Sequence, residues 1–140
     1  MDLTPGSVLH IQDFSTRGHP AKNKYLLING PKSDSEALAF LISSQLKYLK
    51  VEPHKHEVVK IPHNATTFLQ CESIIQCFSV EELTITDLIQ GGESGKVKRV
   101  GKLQPKILQQ IREVVANSQL LSTYEIEAIT KVLPKRTELK

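Results

Sequence analysis

The chain has 140 residues and a formal net charge of +3; that is the size of one ordinary domain, with a charge balance that permits an anionic partner without demanding one. Hydrophobic content of 39% and charged content of 24% exclude a wholly disordered chain. No run approaches the roughly 18 consecutive apolar residues of a membrane span, and Met1-Asp2-Leu3-Thr4-Pro5-Gly6 lacks the basic and apolar regions of a signal peptide, so a soluble cytoplasmic protein is expected.

The first half reads as strands. Pro5-Gly6 is a turn signal, and Ser7 to Ile11 follows with β character. The polar stretch from Gln12 to Asn23, with Gly18 and Pro20, reads as a loop. Lys24 to Ile28 is a short apolar run stopped by Asn29-Gly30-Pro31, which favours a buried strand over a helix. Ala37 to Ser43 is the next strand candidate, although Ala and Leu are good helix formers, and Gln45 to Leu49 suits a helical turn. Glu57 to Ile61 is a strand ended by Pro62. Thr67 to Cys71 and Ser73 to Phe78 supply one long or broken strand. Unbroken, it carries Gln70, Glu72 and Gln76 on one face and Leu69, Cys71, Ile75 and Cys77 on the other.

The second half changes period. Ser79-Val80-Glu81-Glu82 has the spacing of a capping box. Gln90 to Gly95 reads as a flexible turn; its glycines and Lys96 lack the order of a phosphate-binding loop. Lys96 to Gly101 is a basic alternating strand. From Pro105 to Gln119, residues Ile107, Leu108, Ile111, Val114 and Val115 recur at helical spacing, with Pro105 suited to the first turn. Ser122-Thr123-Tyr124-Glu125 is a second capping box, opening a helix with the stripe Ile126, Ile129, Val132 and Leu133 that Pro134 stops. Five or six strands followed by two helices predict a mainly β, α+β domain: a small barrel or strongly bent sheet with two C-terminal helices. The domain is expected over residues 1–134, with a basic tail at 135–140.

Two cysteines, Cys71 and Cys77, read as buried free thiols; on one extended strand they would stand roughly 20 Å apart, beyond disulfide reach. Five histidines include His54, His56 and His63, but without zinc-ligand spacing, so no metal is expected. The rows Phe40 to Ser44 and Gln70 to Ile75 each set small polar or acidic groups at the end of an apolar run, where a bent sheet gathers them at one rim. Lys96, Lys98, Arg99 and Lys102 form the densest basic patch, with no aromatic platform among them.

In order and spacing these segments resemble the PemK/MazF toxin family. The resemblance is carried by Pro5-Gly6-Ser7-Val8-Leu9-His10-Ile11, by Lys24-Tyr25 at the family's Arg-Pro step, by Ser43-Ser44, by Glu72-Ser73 and by Gly101-Lys102-Leu103. It implies an SH3-like barrel, a homodimer, an antitoxin protein as partner, and metal-independent cleavage of single-stranded RNA without a cofactor. On that basis Lys24 would stabilise phosphate, Ser43 and Ser44 would position it, and Glu72 would serve as acid–base group. Arg17, His19, Lys22, Lys96, Lys98 and Arg99 would contact RNA. Lys24 keeps the charge of the family arginine but loses its bidentate fork. A non-catalytic binding module for nucleic acid or protein therefore stands as the alternative, and a purely structural subunit as a third reading.

Overall fold

The computed structural model describes residues 3–15, 20–44, 46–69 and 71–133. Within them the architecture is α+β: a seven-stranded antiparallel sheet with three α-helices. The strands are β1 (Ser7–Phe14), β2 (Lys22–Pro31), β3 (Glu36–Ser43), β4 (Val58–Ile61), β5 (Ser73–Gln76), β6 (Glu81–Thr84) and β7 (Val97–Lys102). Helix α1 (Ile85–Ser94) lies between β6 and β7, and α2 (Pro105–Ala116) and α3 (Thr123–Thr130) follow β7. Short 3-10 turns at Leu46–Leu49, His54–His56 and His63–Ala65 join β3 to β4 and β4 to β5.

The hydrogen-bonded path runs β4-β5-β3-β2-β1-β7. Strand β3 is central. It pairs with β2 along one side; on the other, its first half pairs with β6 (Ala37 opposite Leu83) and its end with β5 (Ile42 opposite Ile75). Having neighbours on both sides and both faces buried explains why the helix formers of Ala37 to Ile42 are extended: burial and ladder bonds outweigh a propensity of a few tenths of a kcal/mol per residue.

Each face of the sheet buries its own cluster. On one, Val8, Leu27, Phe40 and Ile75 pack with Ile107, Leu108, Ile111 and Val115 of α2 and Ile129 of α3. On the other, Leu9, Ile11, Leu26, Ile28 and Ala39 pack with Leu88 of α1 and Val97 of β7. The alternation Val8/Leu9 and Leu26/Leu27 is the period-2 signature of a strand buried on both sides.

Several sequence expectations change. Among the described residues seven strands form where five or six were expected, and β1 and β2 extend into the loop expected over residues 12–23, to Phe14 and from Lys22, because they pair with each other there. The capping-box spacing at Ser79 does not open a helix: Glu81–Thr84 is a strand, because pairing with β3 places Leu83 in the second cluster. The helix starts one element later, and α1 runs through the expected flexible turn at Gly91-Gly92. It does so because Leu88 is buried beneath it, and because Gly91 leaves room for Val97; an added Cβ there would collide with Val97 Cγ2. This third helix precedes the two expected at the C-terminus. Finally, no strand covers the described part of Thr67 to Cys71; β5 begins at Ser73, so Cys71 is exposed and only Cys77 is a buried thiol. Both cysteines are free.

Candidate functional site

The rim of the sheet at the end of β3 holds a cavity of about 380 Å³ lined by Lys22, Lys24, Tyr25, Ser43, Ser44 and Phe68, among others. That volume falls within the roughly 300–1,000 Å³ of small-ligand sites. It forms because β3 stops at Ser43, one residue past the Tyr25–Ile42 pair, while β2 continues to Lys22 opposite Phe14 of β1. Neighbours on β2 point to opposite faces, yet Lys24 and Tyr25 both reach the cavity, which wraps the strand end. Cys71 and Ser73, from the start of β5, line the same space.

Two lysines and two serine hydroxyls from segments about twenty residues apart in sequence therefore share one concavity. Lys24 and Ser43 are half-buried and Lys22 and Ser44 exposed. Ser73 is buried and its hydroxyl donates to the Cys71 carbonyl at 3.2 Å, which turns the chain into β5. Glu72 lies between two lining residues but is itself exposed and is not part of the lining. Arg17 and His19 lie outside the described residues, as do Gln70 and the tail at 135–140.

The basic patch of β7 divides between the faces of the sheet. Lys98 is opposite His10, on the face of Tyr25, whereas Arg99 is opposite Leu9, on the α1 face, and donates through Nε to the Ser7 hydroxyl at 3.4 Å. Lys96 is exposed just before the strand, and its carbonyl accepts from the Gln12 backbone N–H at 2.9 Å.

Sequence reasoning passed over the rings. His10 and Tyr25, directly opposite on β1 and β2, meet edge-to-face with centroids 4.9 Å apart. Tyr25 lies 6.1 Å from Phe68, and its hydroxyl donates to the Phe68 carbonyl at 3.4 Å. The available signal was the alternation of His10 between Leu9 and Ile11, but its pairing with Tyr25 is a register that a sequence does not display.

A larger cavity, about 660 Å³, lies elsewhere and is lined by Tyr48, Phe78, Glu81, Glu82, Leu120 and Glu125, among others. Its carboxylates oppose an anion. Glu82 is paired with Lys32 at 2.8 Å, and Glu125 accepts from the Ser122 backbone N–H at 2.9 Å within the capping box of α3. Two further cavities are lined by lysines, Lys60 and Lys106 in one and Lys32 and Lys131 in the other, but each also carries carboxylates, Glu113 in the first and Asp34 and Glu127 in the second. The rim cavity joins two lysines with no carboxylate among the described residues of its lining, and charge thus favours it for an anionic ligand. Among the described residues no group of three or more His, Cys, Asp or Glu is placed to hold a metal ion, and no helix is long and apolar enough to cross a membrane. No known protein-family model matches the chain, and no curated protein matches it.

Proposed function

We propose that this protein is a PemK/MazF-like toxin that binds single-stranded RNA in the rim cavity and cleaves it without a metal. The observation that supports the reading is the shared lining of Lys22, Lys24, Ser43 and Ser44. Metal-free cleavage uses the ribose 2′-hydroxyl as nucleophile, so the protein must supply charge stabilisation, hydrogen-bond donors and proton transfer. The lysine ammonium groups stabilise the phosphorane and the serine hydroxyls orient the phosphate; Glu72 takes the 2′-hydroxyl proton as the 2′-oxygen bonds to phosphorus, and returns it to the 5′-oxygen that leaves as the P–O5′ bond breaks. In this reading the bent sheet, which pairs β3 with three other strands, is an SH3-like barrel. The protein acts as a homodimer, and an antitoxin protein holds it in check.

One observation favours a second reading, a non-catalytic RNA-binding module: Glu72 does not line the cavity. Incubation of mixed RNA with the purified protein in EDTA, beside Lys24→Ala and Glu72→Ala variants, separates the two. Cleavage products ending in 2′,3′-cyclic phosphate, lost in both variants, are expected. Tight binding with intact RNA selects the module. Absence of both binding and cleavage removes the RNA assignment.

A further inference from the structure

The sheet face beside the cavity carries a row of rings and charge that runs across the strands. Lys98 of β7 is opposite His10 of β1, and His10 is opposite Tyr25 of β2. Directly opposed residues of antiparallel strands present their side chains on the same face. The row therefore reads Lys98, His10, Tyr25; Phe68, from the loop before β5, lies near both Tyr25 and Gly101 of β7 and so borders the row on its Val8 side. Helices α2 and α3 cover this face further along, over Val8, Leu27 and Phe40. At this end His10, Tyr25 and Phe68 remain half-buried and Lys98 exposed. Two of the rings, Tyr25 and Phe68, also line the lysine-bearing cavity.

A half-buried aromatic row bounded by ammonium groups at both ends matches the chemistry of an unpaired nucleic-acid strand. Bases stack on ring faces whatever their identity, and phosphates sit on the flanking cations. We infer that His10, Tyr25 and Phe68 are the base-stacking row of the RNA site, with backbone phosphates held by Lys22 and Lys24 at one end and by Lys98 at the other. The inference rests on the RNA-binding reading and adds to it the path of the strand, across β2 and β1 to β7. A bound strand thus crosses the sheet instead of running along it. Recognition is by stacking and charge, which favours unpaired RNA over a duplex, whose bases are already stacked.

The test compares a fluorescent oligouridylate with an oligomer of the same length and sugar-phosphate backbone whose residues are abasic, each titrated with wild-type protein over a series of salt concentrations. The oligouridylate is expected to bind at least roughly fivefold more tightly, the lower end of what one stacked base contributes. His10→Leu and Tyr25→Leu should shrink that preference while leaving the dependence of log K on log salt unchanged. Lys98→Ala should keep the preference and reduce the salt slope by about 0.7, one released counterion on a single strand. Equal binding of the two oligomers by the wild-type protein overturns the stacking row and leaves the RNA reading standing. Binding of neither overturns both. The wild-type comparison depends on no substitution, so a variant that folds poorly cannot decide it.

Discussion

The carboxylate of Glu57 accepts a hydrogen bond from the hydroxyl of Ser118, and its second oxygen accepts from the Gln119 backbone N–H at 3.1 Å. Glu57 is only 4% exposed. It precedes β4, whereas Ser118 follows α2, so this contact ties the sheet to the turn between the last two helices. Ser118 is in turn a hub: its Oγ accepts from the backbone N–H groups of Leu120 and Leu121 at 3.1 and 3.0 Å. Glu57 also accepts through its carbonyl from the Cys77 N–H at 3.0 Å, which fixes the chain beyond β5.

Removing that carboxylate leaves the half-buried Ser118 hydroxyl and the Gln119 N–H without their acceptor. Hydrogen bonds to a charged group contribute about 1.5–3 kcal/mol each, at the lower end where the donors are reached by solvent. Glu57→Ala is expected to lower stability by about 3 kcal/mol, and Glu57→Gln by less, because the amide retains one acceptor oxygen. Urea unfolding followed by circular dichroism measures both. An unchanged midpoint for Glu57→Ala would refute the tie.

The two thiols should behave as opposites. Burial, with the Glu57 carboxylate adding to it, pushes the Cys77 thiol far above its ordinary range, so it carries almost no thiolate at neutral pH. Cys71 is exposed at the rim cavity. Iodoacetamide should modify one thiol in the native protein and both in denaturant, and Cys71→Ser should abolish native labelling. Native modification of Cys77 at the rate of Cys71 would contradict the packing around β5.

Phe68 owes its position to a missing side chain on β7. A Cβ at Gly101 would stand 2.7 Å from Phe68 Cε1 and 2.8 Å from Cδ1. Gly101→Ala is expected to cost about 1–3 kcal/mol through overpacking. Truncating the ring should relieve it, so a double-mutant cycle with Phe68→Leu should give a coupling of about 0.5–3 kcal/mol. Additive effects of the two substitutions would mean that the ring does not rest on Gly101.

Lys32 joins the end of β2 to β6 and gives stability an alkaline dependence. Its ammonium donates to Glu82 at 2.8 Å and lies 4.0 Å from Glu36. The Glu82 hydrogen bond, above all, with the Glu36 carboxylate nearby, raises its pKa. A raised folded-state pKa means that the protonated form is favoured by folding. The contribution is therefore complete below the unfolded lysine value and lost as pH climbs through the folded one. The gap in Tm between wild type and Lys32→Met should be widest near neutral pH and close in strongly alkaline buffer. A gap that stays constant across that range would show that the ion pair contributes nothing.

Local chemistry was readable where it acts over a few residues. The stripe of α2, with Pro105 at its start, and the capping box of Ser122 and Glu125 are both present, because a helix satisfies its own backbone and needs only a buried face. The cores of β1, β2 and β3 were readable for a similar reason: an apolar run bounded by turn residues has few other outcomes. At Ser79 the same logic misled. The spacing of Ser79 and Glu82 suits a helix start, but the partner that decides the matter, Glu36 to Ala39 of β3, lies more than forty residues away.

By itself the sequence determined the extended centres of β1, β2, β3, β4, β5 and β7, the two helices of the last third, and that the core is aliphatic. These follow from periodicity and from short-range hydrogen bonding. Tertiary structure alone decided that β3 is central, that α1 covers the second face, and that Lys22, Lys24, Ser43 and Ser44 share a cavity from which Glu72 is left out. It also decided that His10 meets Tyr25 while Arg99 leaves Lys98 for the opposite face. Strand register sets all of these placements, and register is chosen by the packing of both faces at once, because a slip of one residue exchanges every buried side chain for an exposed one.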